Sequence, residues 1–349
     1  MTVFNDPAFD DHELVLFCRD SSTGLSAIIA VHSTALGPGT GGCRQWSYKN
    51  EQEALHDVLR LSRAMSYKNA MAGLKFGGGK AVIIKTSDFS GSRALYERFG
   101  EFIESLNGNY VTAEDVGMTS EIMQIIAEKT RYVSGLPPEP GKAGGDPGPV
   151  TAYGVFSGIR AAVEAKLGKQ DLNGLKVAVQ GLGSVGFHLC KHLHKAGVSL
   201  LVSDLDSDRV ERACKEFGSQ ASGVDEILFQ DADVVAPCAL GAILNEQSIP
   251  RIKASIVAGA ANNQLHIDED GQRLADAGIL YAPDYVINAG GVINISAEYY
   301  GDVDEQGVME QTGMIGGRLA KIFEEAAKTG APTNEIADRR ARTIMKGSK

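Results

Sequence analysis

Residues 177–193 read VAVQGLGSVGFHLCKHL, an apolar stretch followed by a glycine-rich turn and an amphipathic stretch with helical spacing. Gly181, Gly183 and Gly186 stand in the order G-x-G-x-x-G, and the next apolar stretch ends in Asp204. In a strand–loop–helix unit the first glycine makes the tight turn, the second lets a pyrophosphate approach the backbone, and the third lets the helix pack closely on the strand. The pattern therefore predicts a Rossmann-type dinucleotide site.

The acidic residue after the second strand bears on which dinucleotide binds. The carboxylate of Asp204 can accept hydrogen bonds from the adenosine ribose and would repel a 2′-phosphate, which favours NAD over NADP. Ser184 and Val185 belong to the same loop, and we place them with Ala239 and the three glycines in the predicted NAD site.

The second half of the chain continues this alternation of strands and helices. Apolar stretches at 199–206, 231–239, 254–262 and 278–291 read as strands, and their apolar residues are continuous rather than alternating. Such strands are typical of a parallel sheet covered by helices on both faces. We therefore predict an α/β protein with a Rossmann-type, doubly wound parallel-sheet domain.

A chain of 349 residues is long for one hydrophobic core, so two domains are expected. Residues 135–149 contain five glycines and five prolines, which suits a connection better than a helix or a central strand. A long surface loop within one domain is the alternative. We predict an N-terminal α/β domain at 1–140, with 330–349 packing back on it, and the Rossmann domain at 141–329.

Charge and cysteine content narrow the class of protein. The net charge of −10, from 34 basic and 44 acidic residues, argues against binding to nucleic acid or to an anionic membrane. The acidic start, MTVFNDPAFDDHE, is unlike a signal peptide, and no apolar run reaches the roughly 18 residues of a membrane span. Five scattered cysteines, an odd number, favour free thiols and a cytoplasmic protein.

One pair of histidines has the spacing of metal ligands. His188 and His192 are four residues apart on a predicted helix, but no glutamate or further ligand joins them. We therefore predict a solvated helix face and no metal.

The second informative stretch is SYKNAMAGLKFGGGKAVII, residues 66–84, in which Lys68 and Lys80 flank a glycine-bearing turn. A phosphate-binding loop is excluded, because its motif needs glycine and serine or threonine where this chain has Leu74 and Ala81. A surface lysine is the simplest alternative.

We favour a catalytic site at these lysines. Two close ammonium groups in a partly desolvated pocket lower each other's pKa, so that one can act as a base while the other holds an anion. Asp115, in TAEDVG at the end of a later predicted strand, would complete a set for proton transfer. The glycines at 77–79 are expected to leave room for a substrate and a nicotinamide against the backbone.

These stretches, together with LGPGTGGCR (36–44), GGDPGPVTAYGV (144–155), GAANNQL (259–265) and YVINAGGVINI (285–295), resemble the amino acid dehydrogenase family. That family comprises glutamate, leucine, valine and phenylalanine dehydrogenases, and the resemblance is closest to its leucine/valine branch. It implies NAD-dependent, reversible oxidative deamination of an L-amino acid to a 2-oxo acid and ammonia.

The resemblance also implies roles for individual residues. Lys68 would bind the substrate carboxylate, helped by the backbone at Gly41 and Gly42. Lys80 would activate the water that attacks the imine, and Asp115 would exchange protons with the substrate nitrogen.

At the cofactor, Asn262 would contact the nicotinamide end and Thr151 would lie near the carboxamide. A cleft between the domains would close around both ligands and exclude water. Relatives assemble through the first domain and the C-terminal tail, so a homo-oligomer is expected.

Four positions bear on the substrate side chain. Glutamate enzymes carry a lysine where this chain has Thr40, so a dicarboxylate would be buried without a partner. Ala113 matches relatives that prefer aliphatic substrates, and Val292 and Ile295 would supply a β-branched wall. We expect leucine, isoleucine and valine as substrates. A phenylalanine dehydrogenase is the alternative, because Thr40 also widens the pocket; a non-catalytic nucleotide-binding module is a third.

Overall fold

The computed structural model describes residues 3–86, 89–137 and 143–347, and these form two compact units. The first unit takes its described residues from Met1–Gly145, Ile295–Glu305 and Ala341–Lys349. The second comprises Asp146–Asn294 and Gln306–Arg340.

The first unit is built on a mixed five-stranded sheet in the order β1-β2-β4-β3-β5. Strands β1 and β2 pair antiparallel, as do β2 and β4, whereas β3 runs parallel to both β4 and β5. The strands are Leu14–Asp20 (β1), Leu25–Ser33 (β2), Gly39–Trp46 (β3), Gly77–Ile84 (β4) and Tyr110–Glu114 (β5).

Helices cover both faces of this sheet. They are Glu51–Ala72 (α1), Arg93–Ser105 (α2) and Ser120–Ala127 (α3). Alternate residues of β2 point to opposite faces: Ile28 packs with Val58 of α1, and Ile29 packs in the cluster that holds Phe99 of α2 and Met123 of α3. The two-residue period of the strand thus distributes its apolar side chains between two cores.

Helix α1 is defined by a cap at each end. The Asn50 side chain accepts a hydrogen bond from the Glu53 N–H, and Gly73 adopts φ 69° directly after the last turn. Glycine adopts this left-handed conformation without the strain that a Cβ adds. The turn at Gly73 returns the chain into β4.

The second unit contains a six-stranded parallel sheet in the order β11-β10-β9-β6-β7-β8. The helices and strands after residue 146 are Gly148–Leu167 (α4), Lys176–Gln180 (β6), Ser184–Lys195 (α5), Ser199–Ser203 (β7), Ser207–Phe217 (α6), Gln220–Ala221 (β8), Val234–Pro237 (β9), Ile256–Val257 (β10), Asp270–Asp276 (α7), Leu280–Tyr281 (β11), Asp284–Ile287 (α8), Gly290–Tyr300 (α9), Glu305–Thr329 (α10) and Thr333–Lys346 (α11). Helix α9 from Ile295 and helix α11 from Ala341 belong to the first unit.

The strand order confirms the predicted doubly wound sheet. The chain winds from β6 through β7 to β8, and then crosses over to begin the other half at β9. The crevice at this reversal, outside the carboxyl ends of the strands, is where such sheets bind ligands.

One predicted strand is wrong over most of its length. In the stretch 278–291 only Leu280–Tyr281 pairs as a strand, and helices α8 and α9 follow it. An apolar run does not by itself distinguish a buried strand from a buried helix. Pro283 directly before α8 is the local signal for the helix start.

The units differ from the predicted domains in three segments, and the predicted boundary at 140/141 lies outside the described residues. Residues 143–145 belong to the first unit. Residues 295–305 belong to the first unit, where Tyr300 stacks on Phe76. Residues 330–340 belong to the second unit, where Thr333 donates to the Tyr281 carbonyl. The last segment, from Ala341, returns to the first unit.

Two further properties of the described chain concern its class. None of its helices is long and apolar enough to cross a membrane. All five cysteines are free, as the sequence predicts.

Candidate active site

Lys80 lies on β4, in the middle of the sheet of the first unit. Its side chain is only 9% exposed and forms an ion pair with the Asp115 carboxylate. Asp115 follows the end of β5, and its other oxygen accepts a hydrogen bond from the Val116 N–H at 2.7 Å. The structure therefore brings together the two predicted catalytic residues.

The charge state of Asp115 follows from its neighbours. Burial alone would raise the pKa of this carboxyl, but the charges of Lys80 and Arg44 and the hydrogen bonds outweigh burial and hold the pKa below its usual value. Asp115 is therefore a carboxylate facing an ammonium group. Lys80 thus pairs with an anion. The expectation was that the ammonium groups of Lys80 and Lys68 would lie close together.

Arg44 was not singled out from the sequence. Its Nε lies 3.5 Å from Asp115 Oδ2, and its Nη1 lies 3.1 Å from Asp57 Oδ2. Asp57 is held further by Tyr48, whose hydroxyl donates at 2.8 Å, and by Arg60 at 2.7 Å. The available signal is the position of Arg44 two residues after the Gly41–Gly42 pair, but using it requires the parallel pairing of β3 with β5.

The predicted substrate residues of β3 and β5 are neighbours in the sheet. Gly42 pairs with Ala113, and Thr40 pairs with Gly78. A Cβ on Gly42 would lie 2.4 Å from the Glu114 carbonyl oxygen, so there is no room for a side chain at this position of β3. Thr40 is buried, and its hydroxyl donates to the Pro38 carbonyl at 3.2 Å.

Gly41 on the same strand is equally restricted, since a Cβ there would lie 1.9 Å from the Gly79 carbonyl oxygen. Lys68 lies half-buried on α1, between two contacts of that helix with β4. Asn69 donates to the Gly77 carbonyl at 2.6 Å, and a Cβ on Gly78 would lie 2.1 Å from Ser66 Oγ.

The expectation that glycines 77–79 leave room for ligands is wrong. Cβ atoms at Gly77, Gly78 and Gly79 would lie 1.9 Å from the Ser33 carbonyl oxygen, 2.1 Å from Ser66 Oγ and 2.7 Å from the Tyr110 ring. Protein atoms therefore fill those directions. The three glycines let β4 pack directly against its neighbours.

In the second unit the glycine loop fits a dinucleotide. Gly181 adopts φ 92°, and a Cβ on Gly186 would lie 1.9 Å from the Gly181 carbonyl oxygen. The Cβ direction of Gly183 is open, with no atom within 4 Å, and Gly183 gives helix α5 no side-chain cap. The first N–H groups of α5 are thus accessible to an anion.

The other predicted cofactor residues of this unit surround the loop. The Asp204 carboxylate accepts from the Leu182 N–H at 2.6 Å and from the Asp206 N–H at 2.9 Å, which fixes it beside the glycine turn. Ala239 follows β9, and its Cβ lies 2.7 Å from where a Cβ of Gly181 would stand. Ser184 and Val185 form the first turn of α5, and Ser184 donates to Asp146 at 2.6 Å.

Thr151 and Asn262 also lie in the second unit. Thr151 is on α4, and a Cβ on Gly290 would lie 2.7 Å from its Cα, so α9 begins directly against it. Asn262 follows β10, and its Oδ1 accepts from Asn288 Nδ2 at 2.7 Å. Val292 and Ile295 are half-buried, three residues apart on α9. Asn288 is a second residue that the sequence did not indicate.

The predicted solvated face of α5 is wrong at one histidine. His192 is stacked on Phe156 of α4, with ring centroids 5.5 Å apart, and burial lowers its pKa. Throughout the described ranges, no three His, Cys, Asp or Glu side chains are grouped so as to hold a metal ion.

The second unit has a doubly wound sheet and a glycine loop that fits a dinucleotide, and the first unit buries a lysine–carboxylate pair. Together these features are typical of a dinucleotide-dependent dehydrogenase. The sequence matches the family models for the Glu/Leu/Phe/Val dehydrogenase dimerisation domain, over residues 12–132, and for glutamate/leucine/phenylalanine/valine dehydrogenase, over residues 202–344. The chain belongs to this family of amino acid dehydrogenases, as the sequence motifs predict.

Similar proteins in this family are named for different amino acids. The chain is 48% identical to a leucine dehydrogenase from Bacillus subtilis, over 95% of this chain and 90% of that protein. It is 48% identical to an L-tryptophan dehydrogenase from Nostoc punctiforme, over 97% of this chain and 94% of that protein. A crystal structure of L-tryptophan dehydrogenase from the same organism superposes with a TM-score of 0.87, at 46% identity, over 97% of this chain and 96% of that one.

Family membership settles two points. The chain is an enzyme, so the alternative of a non-catalytic nucleotide-binding module is not retained. Its substrates are small molecules, and its cofactor is a nicotinamide nucleotide.

Proposed function

We propose that this enzyme catalyses the NAD-dependent, reversible oxidative deamination of branched-chain L-amino acids to 2-oxo acids and ammonia. The observation that carries the proposal is the buried ion pair of Lys80 with Asp115, because it combines a proton donor and a proton acceptor in one contact.

Lys68 and the backbone at Gly41 and Gly42 bind the substrate carboxylate. Oxidation at the substrate Cα produces an imine, and a bound nicotinamide supplies the hydride acceptor for that step. After passing its proton to Asp115, the Lys80 amine accepts a proton from water as the water oxygen bonds to the imine carbon. Asp115 then protonates the substrate nitrogen. The C–N bond breaks as the hydroxyl oxygen forms the carbonyl, ammonia leaves, and the hydroxyl proton passes to the Asp115 carboxylate.

The substrate preference is proposed from Thr40 and Ala113. Both are buried, and the Thr40 hydroxyl already donates to the Pro38 carbonyl, so this position supplies no cation for a dicarboxylate. Val292 and Ile295 add apolar surface. Likeness to leucine dehydrogenase favours leucine, isoleucine and valine, whereas likeness to L-tryptophan dehydrogenase favours an aromatic substrate, the second candidate.

Reduction of NAD, followed by absorbance with a panel of L-amino acids, tests the proposal. We expect the highest kcat/KM with L-leucine, L-isoleucine or L-valine. A higher value with L-phenylalanine or L-tryptophan would establish the aromatic alternative. Lys80→Ala should lower kcat by about 10²–10⁴-fold while NADH still binds.

The choice of NAD rests on Asp204. Its carboxylate is fixed beside the glycine turn by two backbone donors, where a 2′-phosphate would meet a negative charge. We expect kcat/KM to be higher with NAD than with NADP, and equal values would contradict this assignment. Thr151, Asn262, Ser184, Val185 and Ala239 are proposed as further NAD contacts.

The quaternary state and location are also proposals. The match to a dimerisation domain supports a homo-oligomer, and five free cysteines support the cytoplasm. Light scattering on the purified protein and fractionation of cells test these two statements.

A further inference from the structure

Asn288 is a buried amide of the second unit that contacts the loop after β10. It follows helix α8 and is only 4% exposed. Its Nδ2 lies 3.0 Å from the Ala260 carbonyl oxygen and 2.7 Å from Asn262 Oδ1. Asn288 therefore contacts both the backbone and the side chain of the loop that carries Asn262.

The Ala260 carbonyl determines how the Asn288 amide is turned. A backbone carbonyl can only accept a hydrogen bond, so the Asn288 atom beside it must be the nitrogen. The same nitrogen has a second N–H, and this one points at the Asn262 side chain. The Asn262 atom that receives it must be the oxygen, so the Asn262 Nδ2 group is directed away from Asn288.

We propose that Asn288 is a positioning residue that makes Asn262 a hydrogen-bond donor toward the carboxamide carbonyl of the nicotinamide. The inference rests on the proposed function, in which Asn262 contacts the nicotinamide end of the cofactor. An asparagine alone can present either its oxygen or its nitrogen to a ligand. Asn288 removes this choice before the ligand arrives, which lowers the cost of ordering the side chain on binding.

A second buried amide provides a matched control. Gln264 Nε2 donates to the carbonyl oxygens of Gly259 and Ala261, at 2.9 and 3.0 Å. Gln264 thus holds the same loop by its backbone, and within the described ranges no hydrogen bond joins it to the Asn262 side chain. Loss of loop order can therefore be separated from loss of amide orientation.

The decisive variant is Asn288→Asp, which keeps the shape of the side chain. Its neutral acid form places a hydroxyl oxygen where Nδ2 stood, between the Ala260 carbonyl and Asn262. This oxygen has a single proton, which it donates to the Ala260 carbonyl, so it faces Asn262 only as an acceptor. Asn262 must then turn its nitrogen toward residue 288 and present its oxygen to the ligand. The polarity at the nicotinamide is reversed without removing either side chain.

Two reduced cofactors report this polarity. NADH has a carboxamide, which can turn to offer its N–H groups, whereas the 3-acetylpyridine analogue has only a carbonyl in that place. We expect Asn288→Asp to weaken binding of the analogue about three- to tenfold more than binding of NADH, as for one hydrogen bond. Dissociation constants from isothermal titration calorimetry give the ratio without catalysis.

Three further variants show whether the effect passes through Asn262. Gln264→Ala should weaken the binding of NADH and of the analogue by a similar factor. In an Asn262→Ala background, Asn288→Asp should leave the ratio unchanged. If Asn288→Asp does not fold, Asn262→Asp replaces it, because the carboxylate of that variant accepts from Asn288 and presents oxygen to the ligand. We expect it too to weaken binding of the analogue more than binding of NADH.

The outcomes separate the two proposals. Wild-type protein that binds neither nucleotide would refute the proposed function. Wild-type protein that binds both, with a ratio that Asn288→Asp or its replacement leaves unchanged, would overturn the role of Asn288 alone. The role of Asn288 would also be overturned if Asn288→Asp changed the ratio of the two dissociation constants equally in the Asn262→Ala background.

Discussion

The Asp115 carboxylate sits between two cations that come from different strands. Lys80 of β4 forms the closer contact, and Arg44 of β3 lies 3.5 Å away through its Nε. Together with the hydrogen bonds from Lys80 and the Val116 N–H, these charges outweigh burial and hold the pKa of Asp115 below its usual value. Arg44 also contacts Asp57, so it links the predicted catalytic pair to a second buried carboxylate.

Removal of Arg44 should shift the pH dependence of activity. In Arg44→Met, burial of Asp115 is opposed by one cation fewer, so its pKa should rise toward the usual value. Because Asp115 must be ionised in the proposed reaction, the acid limb of the kcat/KM profile should move to higher pH. The profile is measured with the best substrate of the panel down to about pH 3, because the usual pKa of an aspartate is about 3.9.

Arg60→Met is the matched control for this change. Arg60 contacts Asp57 at 2.7 Å, like Arg44, and no contact with Asp115 is found for it in the described part of the chain. Its acid limb should stay where it is in the wild type. An unshifted limb in Arg44→Met would show that Arg44 does not tune Asp115.

Sequence reasoning located these side chains unevenly. Lys80, Asp115 and the glycine loop stand in local motifs, so their residue types and spacing were enough to select them. Arg44 and Asn288 act through partners 13 or more residues away, and the residues next to them in the sequence do not identify those partners. The pairing of β3 with β5 and the position of α8 had to be known first.

At the scale of elements, strand β4 shows why its glycines are needed. Its neighbours come so close that a Cβ on Gly78 would lie 2.1 Å from Ser66 Oγ and 2.2 Å from the Ser66 backbone nitrogen. A three-glycine run does not reveal from sequence whether a ligand or the protein itself approaches. Only the packing of α1 on β4 distinguishes the two.

Gly78→Ala should destabilise the protein strongly. The added methyl group meets a backbone nitrogen, which cannot move aside as a flexible side chain can, so we expect a loss of about 2–4 kcal/mol in the free energy of unfolding. Ser66→Ala in addition should not restore stability, since the backbone clash remains. Denaturant unfolding measures both variants.

The control for this prediction is Gly317 on α10, where a Cβ would have no atom within 4 Å. Gly317→Ala should stabilise by about 0.5–1 kcal/mol, because alanine is the better helix former. Equal effects of the two substitutions would contradict the packing argument.

For the molecule as a whole, periodicity and composition predicted two domains and a parallel sheet, and the strand order bears out the sheet. They did not reveal that the chain after residue 294 serves both units in turn. Tyr300 stacks on Phe76 in the first unit, whereas Tyr285 binds Asp338 in the second at 2.7 Å. Such long-range contacts depend on three-dimensional packing, which a local pattern does not encode.

The free energy of unfolding of the whole chain should fall in acid. We expect two buried histidines of the first unit to contribute most to this loss. His32 and His12 have ring centroids 5.0 Å apart. Burial and the neighbouring His12 lower the pKa of His32 to about 4, although Asp10 opposes this shift. Burial also lowers the pKa of His12. His32 Nδ1 is paired with Ser66, so the neutral ring has a hydrogen-bond partner in the fold.

The sign of the effect follows from proton linkage. A histidine has a pKa of about 6.5 in the unfolded chain, so between this value and about 4 the unfolded chain binds more protons than the folded one. The stabilisation is therefore complete above about pH 6.5 and is lost as the pH falls through this window. We expect His32 to account for a loss of about 1–2 kcal/mol in the free energy of unfolding between pH 7 and pH 5. His32→Gln should flatten this slope, whereas His266→Gln, at an exposed position, should leave it unchanged. Denaturant titrations at each pH measure the slope, and a wild-type slope retained in His32→Gln would assign the acid sensitivity to other groups.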